Sequence, residues 1–181
     1  MDKLHHDINE NTKVFAYVRT STTRQQSGFE SQKALIEEYC REHNLTVDEW
    51  FEDFGVSANR IPIYEREGYM SMENKVDSLW SADINKRPLV IICNIDRLMR
   101  TLYDDDYLTI FSLCHNHAQV ISLEEHRNLT DEFIWMVSKI KELTKKACDA
   151  NNEELKTLYN ELAKETKIAW DRKVFRNCVE M

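Results

Sequence analysis

With 181 residues, 42% of them hydrophobic and 31% charged, the chain has a soluble globular composition, enough for one cored domain and an appendage. Its formal net charge of −8 is spread over both halves, with 13 basic against 17 acidic residues in 1–100 and 11 against 15 in 101–181, which argues against a protein that grips polyanions through its global field. No apolar run approaches bilayer length, and the five cysteines, at 40, 93, 114, 148 and 178, have neither disulfide-framework nor zinc-site spacing, so a cytoplasmic, reducing setting without membrane contact is expected.

Residues 1–13 are polar, rich in turn formers and free of a secretory pattern, and read as a flexible or irregular arm. Val14 to Val18 is an apolar run of buried-strand type, followed by a polar loop from Thr20 to Ser27 that ends in Gly28. From Phe29 to His43 the positions Leu35, Ile36, Tyr39 and Cys40 recur at helical spacing. Val47 to Phe51 reads as a second strand. Gly68 to Ser81 has the Met70, Met72, Val76, Leu79, Trp80 spacing of an amphipathic helix, and Leu89 to Cys93 is a third strand. Leu102 to His115 reads as another helix and Gln119 to Leu123 as a fourth short strand. This alternation predicts an α/β sandwich around a mainly parallel sheet.

The pattern changes after Leu129. No glycine or proline follows, and Thr130 is placed to cap a helix whose first turn holds Asp131 and Glu132. Phe133, Met136, Val137, Ile140, Leu143 and Ala147 form one stripe, and residues from Leu155 to Trp170 form a second. The expected organisation is an arm at 1–13, a domain at 14–128 and a helical extension at 129–181.

The chemistry-bearing residues sit in four segments: Tyr17-Val18-Arg19-Thr20-Ser21, then Phe51 to Ser57 with Asp53, then Arg66-Glu67-Gly68-Tyr69, then Ile95-Asp96-Arg97-Leu98-Met99-Arg100. A serine hydroxyl is a poor nucleophile by itself, and fixed guanidinium groups suit a target that gains negative charge as it is attacked. A phosphodiester is such a target. The order Tyr-x-Arg-x-Ser, Gln32, Asp-x-Gly-x-Ser, Arg-x-Gly-Tyr, Asp-Arg-Leu-x-Arg resembles the catalytic domain of the serine recombinases, the resolvase and invertase family. The piece Gln26-Ser27-Gly28-Phe29-Glu30-Ser31-Gln32 is most similar to the large integrase-type members, and the likeness runs over residues 14–125.

The resemblance implies a resolvase-like three-layer sandwich followed by a long helix, and a site-specific recombinase that cleaves and rejoins DNA through a 5′-phosphoserine link. It implies Ser21 as nucleophile, with Arg19, Arg66, Arg97 and Arg100 around the attacked phosphate. Asp96 becomes the acid for the leaving oxygen or the partner of an arginine, and Gln32 and Asp53 support the serine loop. Neither metal nor any other cofactor is implied, since guanidinium groups supply the charge. Double-stranded DNA is the implied partner, with a homodimer, or a tetramer on DNA, built on the late helix, and a mobile element as the setting. The bland readings stay open beside these: an ion pair for Arg66, a turn cap for Asp53, a loop hydroxyl for Ser21.

The late cluster Lys164, Lys167, Arg172, Lys173 and Arg176 is the best basic patch and fits either DNA phosphates or a solvated helix face. The family's Glu-Arg segment on the long helix is absent from Lys141 to Cys148, and the pattern of residues 129–181 is not that expected of a DNA-reading module. Two functions therefore stand side by side: a DNA strand transferase, alone or with a separate DNA-reading partner, and a catalytically idle resolvase-like regulatory or interaction protein. Cys114, His115, His117 and His126 are weak metal candidates. Asp104 to Asp106 read as helix-start acids rather than metal ligands.

Overall fold

The computed structural model describes residues 4–6, 11–22, 26–58, 60–98, 109–135 and the positions 138, 142, 154 and 157. The chain divides into two compact units, Met1–Thr130 and Asp131–Met181. In the second, the described residues are helical and Trp135 is exposed.

The first unit is built on a five-stranded sheet. β1 is Val14–Arg19, β2 Glu49–Asp53, β3 Leu89–Ile92, β4 Gln119–Ser122 and β5 Arg127–Asn128. Their order is β2-β1-β3-β4-β5, parallel except for the β4–β5 pair. Every residue of β1, β3 and β4 is buried, as expected for parallel strands covered on both faces. The two-residue β5 has no counterpart in the sequence reading, being too short and too polar to carry a strand pattern.

Two helices cover the faces. α1 is Gln26–Glu42 and α2 is Glu67–Asp77. Strand side chains alternate, so Val14, Ala16 and Val18 join Phe29, Ile36 and Tyr39 of α1 in one core. On the opposite face, Tyr17 meets Tyr69 of α2 edge to face, with ring centroids 6.0 Å apart. The result is the expected three-layer α/β sandwich with a mainly parallel sheet.

Just past α1, Asn44 has a φ of 55°, the left-handed cap conformation asparagine tolerates, and Leu45 N–H returns to the Cys40 carbonyl at 2.7 Å. α2 stops four residues earlier than the sequence pattern implies. Leu79 N–H and Trp80 N–H each reach back three residues, to Val76 and Asp77, and this tightening turns both side chains out of the stripe. Trp80 is 60% exposed, and Tyr69 takes the buried position instead. Thr130 likewise does not act as the expected helix cap. Its hydroxyl accepts from Val120 N–H at 2.8 Å and donates to the Ala118 carbonyl at 3.1 Å, tying the chain to the start of β4.

Part of the N-terminal arm is tied down. Leu4 N–H donates to the Tyr39 hydroxyl, His5 Nδ1 lies 2.8 Å from that oxygen, and His6 N–H donates to Gln119 Oε1. No disulfide joins Cys40, Cys93 or Cys114. Among the described residues no helix is long and apolar enough to cross a membrane, and no cluster of three metal-ligating side chains occurs. His117 instead sits with Nδ1 2.6 Å from Asp77 Oδ1.

Candidate active site

In a parallel sheet the loops beyond the carboxyl ends of the strands form the natural crevice. β1 delivers Arg19, Thr20 and Ser21 to that edge. Arg19 is 1% exposed and its guanidinium faces main-chain oxygens: Nε donates to Arg97 at 3.0 Å, Nη1 to Val56 at 2.7 Å and Nη2 to Asp96 at 2.7 Å. A buried guanidinium needs acceptors for all its N–H groups, and carbonyls at loop ends need donors. Gln32 of α1 grips the peptide groups of Arg19. Its Oε1 accepts from Arg19 N–H at 3.3 Å while Nε2 donates to the Arg19 and Gly28 carbonyls at 3.2 and 2.9 Å. Thr20 N–H donates to the Asp53 carbonyl, and the Thr20 hydroxyl accepts from Gly55 N–H. Ser21 follows this anchored peptide and is half-buried.

Asp53 lies deeper. Its Oδ1 accepts from Gly68 N–H at 2.9 Å, and its Oδ2 from Tyr69 N–H at 3.1 Å and the Tyr17 hydroxyl at 2.8 Å. The carboxylate therefore caps α2 from a different element, because the N-cap residue Arg66 supplies no side-chain cap bond. Burial, then the charge of Asp53, pushes the Tyr17 hydroxyl well above its ordinary pKa, so it stays a donor. Gly68 is required by proximity: a Cβ there would come within 2.5 Å of the Glu52 carbonyl oxygen.

Arg66 is also 1% exposed. Its Nε donates to the Ile61 carbonyl at 3.1 Å and its Nη1 to the Leu98 and Arg97 carbonyls. It does not line the cleft that holds Ser21. Asp96, half-buried, does not line it either, and its carbonyl is what Arg19 binds.

Arg97 differs from both buried arginines. It ends the 3₁₀ turn Ile95–Arg97 and is half-buried. Nε donates to Asn94 Oδ1 at 2.9 Å and Nη1 to the Arg19 carbonyl at 3.1 Å. Its Nη2 makes no hydrogen bond to a described residue, leaving one guanidinium edge uncommitted.

Beyond these side chains lies a cleft of about 370 Å³. Ser21, Arg19, Arg97 and Gln32 are among its lining residues, as are Gly28 and Ser31 of α1, and Cys93 and Glu124. Sequence reasoning thus names four of the residues that meet here. It misses Cys93 and Glu124, although their position just past β3 and β4 at the carboxyl edge was a usable signal. Burial, then the hydrogen bond and charge of Glu124, pushes the Cys93 thiol up to about 12 against the opposing effect of Arg97. It keeps its proton and is a poor nucleophile at neutral pH. Arg100 and the cluster Lys164, Lys167, Arg172, Lys173 and Arg176 lie outside the described residues, as do Asp104 to Asp106.

The profile of one family, described as the resolvase N-terminal domain, matches residues 14–166. The chain belongs to the resolvase family. Among solved structures, this resolvase-family chain is similar to the N-terminal catalytic domain of TP901-1 integrase, at 22% identity and a TM-score of 0.54, over 75% of this chain and 98% of that one. It is also similar to a resolvase family site-specific recombinase from Streptococcus pneumoniae, at 17% identity and a TM-score of 0.48, over 86% and 99%. A third, the C-terminal catalytic domain of ISC1926 TnpA, an IS607-like serine recombinase, gives 17% identity and a TM-score of 0.44, over 82% and 94%. No curated protein matches the chain. The fold is that of the resolvase-like catalytic domain.

Proposed function

We propose that this resolvase-family protein is a site-specific DNA recombinase that breaks and rejoins strands through Ser21. The Ser21 oxygen attacks phosphorus, the phosphoserine bond forms on the 5′ side, and the bond to the 3′ oxygen breaks. The serine proton is lost to the surroundings and the departing 3′ oxygen gains one. Rejoining reverses the exchange, so the energy of the phosphodiester is kept in the covalent link.

The observation that carries this reading is the meeting of Ser21 and Arg97 in one cleft, with Arg97 Nη2 making no hydrogen bond to a described residue. A fixed donor edge beside a nucleophile stabilises charge as it develops on phosphate oxygens. Arg19, Arg66 and Asp96 contribute by holding the turn that carries Arg97. Gln32 and Asp53 hold the serine peptide and α2. Arg100 adds a second guanidinium from the same segment, and the late basic residues track DNA phosphates. The working unit is a homodimer, pairing to a tetramer on DNA, in the cytoplasm.

The net charge of −8 favours the second reading, an idle regulatory or interaction protein. One experiment separates the two. Incubation with supercoiled plasmid DNA followed by denaturing electrophoresis should give a protein–DNA adduct in the presence of chelator, and Ser21→Ala should abolish it. An adduct that survives Ser21→Ala overturns the nucleophile, and no adduct under any condition favours the idle reading.

A further inference from the structure

Two consecutive glutamates, Glu124 and Glu125, follow β4 at the carboxyl edge of the sheet, beside the anion site proposed above. Acidic side chains oppose phosphate binding unless their charge is used locally. Each of these two is used, and for different things.

Glu125 serves the backbone. Its carboxylate accepts from Ile95 N–H at 3.2 Å and from the Ser122 hydroxyl, and so caps the turn Ile95–Arg97. Glu124 serves side chains. The ladder between β3 and β4 continues past both strands, with Leu123 N–H on the Ile92 carbonyl at 3.1 Å and Glu124 N–H on the Cys93 carbonyl at 2.8 Å. That register sets Glu124 opposite Cys93, whose thiol donates to Oε1 at 3.1 Å. Oε2 accepts from Asn94 Nδ2, and Asn94 Oδ1 accepts from Arg97 Nε. A carboxylate only accepts and a guanidinium only donates, so the Asn94 amide can lie in one sense alone.

We propose that Glu124 is a positioning residue for Arg97: through Asn94 it fixes the rotation of the guanidinium and keeps Nη2 turned to the cleft. The inference rests on the recombinase reading for its purpose, but not for its geometry. Without the Glu124 anchor, the Asn94 amide rotates and the Nε bond breaks. Arg97 then keeps only the Arg19 carbonyl, about which it can swing. Reach, not charge, is the property of Glu124 that matters.

Two variants separate these properties. Glu124→Asp keeps the charge and shortens the arm by one methylene; Glu124→Gln keeps the length, with a carbonyl oxygen to accept from Asn94, and removes the charge. The readout is the Nε–Hε signal of Arg97 in a proton–nitrogen spectrum, assigned by its loss in Arg97→Lys, with inorganic phosphate as the anion probe. Losing a hydrogen bond of this kind speeds proton exchange on the order of tenfold. Glu124→Asp should show that acceleration and a weakened response of the signal to phosphate, as should Asn94→Ala. Glu124→Gln should exchange at the wild-type rate.

The reverse pattern, with Asp like wild type and Gln altered, overturns the proposal in favour of a pure charge effect. Unchanged exchange in all three variants overturns it as well. The spectrum does not depend on strand cleavage, so the two readings fail separately. An Arg97 signal that tracks Glu124 length in a protein forming no DNA adduct would retire the recombinase reading alone. An adduct-forming protein whose Arg97 ignores Glu124 would retire the relay alone.

Discussion

Arg19 and Arg97 bind each other's backbone in both directions. The Arg19 Nε donates to the Arg97 carbonyl at 3.0 Å, and the Arg97 Nη1 donates to the Arg19 carbonyl at 3.1 Å. Two like-charged side chains can lie this close because each faces a carbonyl dipole rather than the other's charge. The reciprocal pair welds the end of β1 to the turn after β3, the two segments that bring Ser21 and Arg97 to one cleft. It also divides the labour, since Arg19 is consumed by the weld while Arg97 keeps an edge for something else.

Arg97→Lys tests that division. A lysine ammonium cannot bridge Asn94, the Arg19 carbonyl and a phosphate oxygen together. Removing one transition-state donor costs about 100-fold or more in rate, so single-turnover adduct formation should fall by that order. The half-buried site should leave the thermal midpoint nearly unchanged. A large loss of stability with little change in rate would assign Arg97 to the scaffold.

Arg66→Met should do the opposite. The Ile61 and Leu98 carbonyls lose their donor inside the protein, at a cost of about 2–4 kcal/mol. Urea unfolding measures it, and a change below about 0.5 kcal/mol would show those carbonyls find other partners.

Gly68→Ala meets backbone, not a movable side chain: the new methyl would press on the Glu52 carbonyl oxygen at 2.5 Å. Overpacking of this sort costs about 1–3 kcal/mol, and the helix that Asp53 caps should shift away from β2. Unaltered stability of the alanine variant would mean that α2 slides without penalty.

Glu73 carries a pH signature. Burial, then the charge of Asp77, raises its carboxyl above the ordinary 4.5, with the Tyr69 hydroxyl opposing. Between the unfolded value and the raised folded one, the native state binds more protons than the unfolded state. Stability therefore falls as pH rises through that window. Glu73→Gln should remove this loss, making the variant the more stable protein at neutral pH, with the gap closing as pH drops below 4.5. Parallel wild-type and variant stability curves across that range would contradict the assignment.

How far the sequence could be read follows from which interactions are local. The apolar runs of β1, β3 and β4 and the stripe of α1 were legible because burial on both faces, or on one, writes a period into the chain. The order of short motifs gave the family and named Ser21, Arg19, Gln32 and Arg97. The exposure of Leu79 and Trp80 and the bond from Thr130 to β4 were not legible, since each depends on backbone turns and partners far away in sequence.

The same distinction governs the site. Residue types and their order determined that a hydroxyl and several guanidinium groups belong to one constellation. Only the tertiary structure decided which guanidinium stays available, because hydrogen-bond donors are claimed by whichever carbonyls the fold brings near. Arg19 and Arg66 are buried and turn toward main-chain oxygens of loops 37 and 32 residues away, whereas Arg97 is half-buried and lines the cleft. Glu124 gained its place by sheet register alone, a property of strand pairing that no single segment encodes.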